Sequence, residues 1–88
     1  VADLDQLIGM SVTPTIIMSG ESCLVQIGHR TGNISNYTLD VISSTGALVD
    51  IINKLDYTNK VYLKSPGVYF LRLRDKENVL QVQKVIVY

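Results

Sequence analysis

The sequence predicts an all-β domain, a sandwich or a small barrel, and three observations carry that expectation. Apolar and polar residues alternate with a period of two over several short stretches. Turn-forming residues interrupt these stretches at short intervals, and nothing sustains the i, i+3, i+4, i+7 stripe of a substantial helix. The apolar residues are mostly Val, Ile and Leu, with no Trp and Phe70 as the one Phe, a set that suits pleated, half-buried strands. At 88 residues the chain makes one domain with a modest core and little room for a deep cleft.

Taken in order, residues 7–12 form the first apolar stretch, which ends near Pro14. Thr15-Ile16-Ile17-Met18 is a second, closed by Ser19-Gly20-Glu21-Ser22. Cys23, Val25 and Ile27 then share one face, with Leu24 and Gln26 on the other. Residues 30–36 hold Thr, Gly, two Asn and Ser, and read as a loop. Tyr37, Leu39 and Val41 alternate with Thr38 and Asp40 as a half-buried strand. Ser43-Ser44-Thr45-Gly46 reverses the chain, and residues 47–52 return as the hairpin partner.

Residues 53–59 are polar and connect the sheets, after which Val61 and Leu63 alternate with Tyr62 and Lys64. Ser65-Pro66-Gly67 is the strongest turn signal: Pro presets φ, and Gly accepts the positive φ that a type II turn requires next. Tyr69, Leu71 and Leu73 alternate with Phe70, Arg72 and Arg74, a polar loop follows at 75–78, and residues 79–88 return. In that last stretch Leu80 and Val82 face one way, yet Val85 and Val87 are out of phase with them. That requires either a bulge beyond Lys84 or a strand covered on both faces near its end. The total is about seven or eight short strands.

Composition narrows the partners. Lys plus Arg equals Asp plus Glu, so the domain lacks the long-range field that draws proteins to nucleic acid or an anionic membrane. Cys23 has no second Cys to pair with and reads as a small buried hydrophobe. No apolar run reaches the roughly 20 residues of a spanning helix. Residues 1–5 lack the pattern of a signal peptide. A start without Met is expected of a fragment or processed product, with residues 1–6 as a linker remnant.

Catalytic constellations are hard to assemble. His29 is the one His, beside Arg30 at the start of the polar loop, with no carboxylate or Cys at ligand spacing, whereas zinc takes about four ligands. Ser22, His29 and Asp40 make a triad on paper, but no nucleophile elbow accompanies them, and Cys23 with His29 lacks an orienting third residue. Asp40, Asp50, Asp56, Asp75 and Glu77 fall at turns and on polar faces, none in a setting suited to acid–base work. Asp3 and Asp5 lack the Gly and distal Glu of a calcium loop, and the six Gly form no phosphate loop. Arg72 and Arg74, with Phe70 beside them and Lys64 near, are the local basic cluster: a contact stripe for an anionic partner, or a solvated face beside Asp75 and Glu77. Asn33-Ile34-Ser35 and Asn36-Tyr37-Thr38 match the N-glycosylation pattern, which arises often by chance. A non-catalytic recognition or structural module is what remains, with no cofactor or metal expected.

Three segments narrow it further. Leu39-Asp40-Val41-Ile42-Ser43-Ser44-Thr45-Gly46-Ala47-Leu48-Val49 resembles the middle motif of the type IX secretion C-terminal sorting domains, a strand, a small polar turn ending in Gly, then an apolar strand. Pro66-Gly67-Val68-Tyr69-Phe70-Leu71-Arg72-Leu73 is similar to their next motif, Gly-x-Tyr within an alternating strand. Gln83-Lys84-Val85-Ile86-Val87-Tyr88 resembles their ending, a Lys followed by apolar residues. Val12-Thr13-Pro14-Thr15 stands where many members have a doubled Pro motif, and here the second Pro is missing.

The resemblance implies an immunoglobulin-like antiparallel β-sandwich of about seven strands, fused behind a cargo protein of a Bacteroidetes-type bacterium. It implies passage through the periplasm to the outer membrane, cell surface or medium. The partners it implies are the type IX translocon and a sortase-like peptidase that joins cargo to anionic lipopolysaccharide. On this reading Gly46 and Gly67 make turns, Pro66 sets one of them, and Tyr69 anchors the core with its hydroxyl at the rim. Lys84, Val85, Ile86, Val87 and Tyr88 are expected to carry recognition, the last strand presenting an open edge or a terminal carboxylate. Neither nucleic acid nor direct membrane insertion is expected, and an exposed edge strand could pair with a second copy. The rival is an immunoglobulin- or fibronectin-like adhesion or spacer module of a larger surface protein.

Overall fold

The period-two alternation resolves into strands because each stretch has one apolar row to bury and a neighbour to pair with. A computed structural model describes residues 7–29, 37–75 and 78–88, and these residues contain eight strands and no helix. β1 (Leu7–Thr13), β3 (Ser22–His29) and β6 (Thr58–Tyr62) form one sheet in the order β1-β3-β6. The other sheet runs β2-β8-β7-β4-β5, from β2 (Ile16–Ile17), β8 (Asn78–Val87), β7 (Gly67–Asp75), β4 (Tyr37–Ser43) and β5 (Leu48–Ile52).

Neighbours are antiparallel except β2 and β8, which run parallel. That one parallel pair follows from Pro14: lacking an N–H, it interrupts the ladder of β1, and the chain resumes two residues later in the opposite sheet. The arrangement is an immunoglobulin-like β-sandwich. β1-β3-β6 take the places of strands A, B and E, β8-β7-β4 those of G, F and C, and β5 extends the second sheet as C′.

The two inner faces meet in one core. Val12, Cys23, Val25, Ile27 and Val61 come from the three-stranded sheet; Leu39, Val41, Leu71, Leu73, Val85 and Val87 come from the other. Cys23 is fully buried, and burial pushes its thiol above the ordinary range against the smaller opposing pull of a backbone hydrogen bond. A thiol held protonated and out of reach does not attack disulfides. The native domain is therefore expected to leave Ellman's reagent unreacted at neutral pH and to react stoichiometrically once unfolded in guanidinium.

The tight turn at Gly46 fits its sequence. Gly46 donates to the Ser43 carbonyl at 2.9 Å and lies at φ +88°, while Ser43 donates to the Ala47 carbonyl at 2.8 Å. This is a type I turn closed by a left-handed glycine, the common three-residue hairpin. Gly67 departs from expectation. It is the first residue of β7, paired with Val87, at φ +150° rather than the +80° or so of a type II turn. Its backbone is still one that L residues avoid, so the glycine is required for a different reason than the turn.

Tyr69, two residues on, is buried and donates its hydroxyl to the Ser65 carbonyl at 2.7 Å. A strand-F tyrosine reaching back to the backbone just upstream is the tyrosine corner of immunoglobulin-like folds. Tyr69→Phe keeps the ring and strands the carbonyl. Its expected cost is about 1 kcal/mol, or roughly 4–8 °C in melting temperature by circular dichroism.

The last strand corrects the sequence reading. The bulge sits at Leu80 and not beyond Lys84: Leu73 pairs with Gln81 and Arg74 with Val79, leaving Leu80 as the extra residue. From there Gln81, Gln83, Val85 and Val87 share the inward side, so Leu80 and Val82, apolar as they are, stand exposed. Gln81 uses its inward position to close the gap between sheets. Its Oε1 accepts from the Met10 N–H at 2.8 Å and its Nε2 donates to the Met10 carbonyl at 2.6 Å. One side-chain amide thus occupies both main-chain groups of Met10 on edge strand β1, where another chain could otherwise add. The linker remnant at 1–6, the loop at 30–36 and the acceptor asparagines of both glycosylation matches, Asn33 and Asn36, lie outside the described residues.

Candidate recognition face

The three segments that resemble sorting-domain motifs fall together. Residues 39–49 span most of β4 and the hairpin into β5, residues 66–73 lead into β7, and residues 83–88 form the end of β8. These four strands are consecutive neighbours in one sheet, β8-β7-β4-β5. Most of the motif residues hold that sheet in shape. Gly46 makes the hairpin, Pro66 is exposed just before Gly67 starts β7, Tyr69 forms the corner, and Val85 and Val87 are core.

The expectation of an open edge at the chain's last residues is corrected. Ile86 donates to the Thr15 carbonyl at 2.8 Å, Tyr88 to that of Ile17 at 3.0 Å, and Ser19 to that of Tyr88 at 2.8 Å. β2 therefore occupies this edge, with Ile16 and Ile17 in register with Ile86 and Val87. What Lys84, Ile86 and Tyr88 leave for a partner is side chains: Lys84 and Ile86 on the outer side of the sheet, Tyr88 65 % exposed.

That outer face is apolar. Antiparallel sheets with one solvated side ordinarily carry polar residues there, and the three-stranded sheet mostly does, with Ser11, Thr13, Ser22, Gln26, Thr58 and Lys60 outward beside Leu24 and Tyr62. The five-stranded sheet does not. Its rows read Ile16, Ile86, Val68; then Lys84, Phe70, Ile42, Leu48; then Val82, Arg72, Asp40, Ile51. Ile16, Leu48, Val82 and Ile51 are 56, 53, 50 and 40 % exposed. Each row crosses three or four strands, and together the apolar side chains reach all five, roughly 20 Å at the ordinary strand spacing, with Lys84, Arg72 and Asp40 set among them. Exposed apolar patches of this kind accompany interaction surfaces.

Asp40 sits at its middle, the one buried charged residue among those described. Arg72 donates to its Oδ2 through Nε at 3.0 Å and forms an ion pair with it through Nη2 at 2.9 Å, and Arg74 donates through Nε at 2.7 Å. Burial by itself raises the Asp40 carboxyl, but the hydrogen bonds from Arg74 and Arg72, reinforced by their charges, outweigh it and hold the group below the usual carboxylate range. The sequence alone puts Asp40 on a polar face and leaves Arg72 and Arg74 as either a contact stripe for an anionic partner or a solvated face beside Asp75 and Glu77. The signal it missed was parity. Asp40 faces the same way on β4 as Arg72 does on β7, and the register puts them directly opposite.

The paper triad is not assembled. Ser22 and His29 end the same strand about 23 Å apart at the ordinary rise, which also separates Cys23 from His29, and Asp40 lies in the other sheet. His29 itself is strand, paired with Leu7, rather than loop. Among the described residues no group of His, Cys, Asp or Glu could hold a metal ion. A cavity of about 200 Å³ opens beside β5, lined by Val41, Val49, Asp50, Tyr62, Leu63 and Tyr69. Its one carboxylate is turned to the edge, where Asp50 Oδ1 accepts from the Ile51 N–H at 2.8 Å. Compared with the models of known families, with curated proteins and with solved structures, the chain finds no match in any.

Proposed function

We propose that this domain is a non-catalytic recognition module, a C-terminal sorting signal that a type IX outer-membrane translocon and its sortase-like peptidase read on a fused cargo. The observation that carries the reading is convergence. Segments drawn to one family by their sequence become neighbouring strands of one sheet, and that sheet turns an exposed apolar face outward. A sorting signal needs a surface to be bound and a stable frame behind it. Here the motif glycines, Tyr69 and the inward valines supply the frame, and the residues between them supply the surface.

The division of labour changes how the terminal segment is tested. Deleting residues 84–88 removes Val85 and Val87 from the core and unfolds the domain whatever its role, so the deletion cannot separate recognition from folding. The direct test fuses the domain behind an inert periplasmic reporter in a bacterium with type IX secretion, beside a translocon-deficient strain. Reporter reaching the surface or medium only with a working translocon supports sorting. Reporter held in the periplasm of both strains, with the domain folded, rejects it in favour of an adhesion or spacer module.

A further inference from the structure

We infer that the outer face of the five-stranded sheet docks a protein surface that is apolar with a carboxylate at its centre, and not a second copy of this chain. Leaving Arg74 to its own contacts, the charged side chains on this face among the described residues are Arg72, Lys84 and Asp40, two cations to one anion. Their exposures differ in the same sense. The Asp40 side chain is 1 % exposed and lies beneath the guanidinium groups, whereas that of Arg72 is 37 % exposed and Lys84 is open to solvent. An approaching partner therefore meets apolar side chains around a cationic centre.

Docking would exclude water from that centre, and a buried cation without a counter-charge is strongly unfavourable. The face selects a partner that brings an anion. A second copy related by a two-fold axis through this face would bring the same cations, and juxtaposed like charges oppose association. Arg72 and Arg74 are already tied to Asp40, so their planar forks are held in place before a partner arrives. The same tether keeps them from extending away from the sheet, as cationic side chains do at a lipid headgroup layer, which favours a protein partner over a membrane.

This inference rests on the reading of the domain as a recognition module, but its test does not use the secretion route. The probes are two disulfide-closed β-hairpin peptides, identical except for Glu or Lys at the centre of one apolar face. Each is titrated into the isotope-labelled 88-residue domain and followed by amide chemical shifts. The Glu hairpin is expected to bind at least about tenfold more tightly than the Lys hairpin, with a preference that weakens in salt. Shifts should concentrate around Arg72, Val82 and Ile51, and Lys84→Glu should erase most of the preference.

Equal affinities, binding by neither hairpin, or shifts confined to the cavity beside β5 would overturn the inference. So would a dimer whose interface is this face. Sedimentation of the domain with phosphatidylglycerol vesicles but not with phosphatidylcholine vesicles, through the same residues, would replace the protein partner with a membrane. A domain that shows the Glu preference yet fails to export a reporter would keep this inference and reject the sorting reading.

Discussion

Alanine at position 40 is expected to destabilise the domain by roughly 2–3 kcal/mol, because it leaves two guanidinium groups converging on an empty place in the sheet. The cost falls at or just below the bottom of the roughly 3–5 kcal/mol range for a broken buried ion pair, since both arginines keep about a third of their side-chain surface in water. For a domain of this length that is a fall of roughly 10–20 °C in melting temperature. The pH dependence has a definite sign. The Asp40 carboxyl titrates below its ordinary value in the folded state. Its contribution is therefore complete above the ordinary carboxylate pKa and is lost as pH falls through the depressed one. Urea unfolding at pH 7 should show the full difference between wild type and Asp40→Ala. Repeated at successively lower pH, the measurement should show the difference shrinking as the wild-type carboxyl becomes protonated through its depressed folded-state pKa.

Leu71→Ala should cost still more. Leu71 is fully buried at the middle of β7, a strand paired on both sides, with Val41 and Gln83 as its cross-strand neighbours. Backbone held by two ladders cannot collapse into the space the side chain leaves, so the loss falls toward the upper part of the 2–5 kcal/mol typical of such truncations, about 4 kcal/mol. Total stability for a chain of this size is on the order of 4–13 kcal/mol. The variant should therefore show a large fall in urea midpoint with an unchanged slope. A loss under about 1 kcal/mol would mean that the two sheets do not meet at Leu71 as described.

The strands were legible because their information is local. Tyr37, Leu39 and Val41 alternate within five residues, and all three are buried. Ser43 to Gly46 contains its own turn chemistry and forms that turn. The Asp40 clamp was not legible because its partners lie more than thirty positions away, and only the β4–β7 register decides which outward residues meet. Val82 misled for a different reason. Reading apolar residues as inward assumes that a sheet has one apolar face, and this sheet has two, so an exposed Val looks like core. The edge at Ile86 to Tyr88 also escaped, since its cover is a two-residue parallel strand too short to announce itself as a partner.

The outer face is what distinguishes this account from one in which the motif residues are themselves the signal. The most direct measurement is export of a fused reporter by a type IX secreting strain when Val82 and Ile51 are both changed to Thr. Those substitutions keep β-branched residues in the strands and touch no core contact, so the folded domain should melt within a few degrees of wild type. Lys60→Glu, on the outer face of the other sheet, serves as the control. The account predicts that the double variant, folded, leaves the reporter in the periplasm while the control is exported like wild type. Export of the folded double variant at the wild-type level would contradict it and return recognition to another surface of the domain.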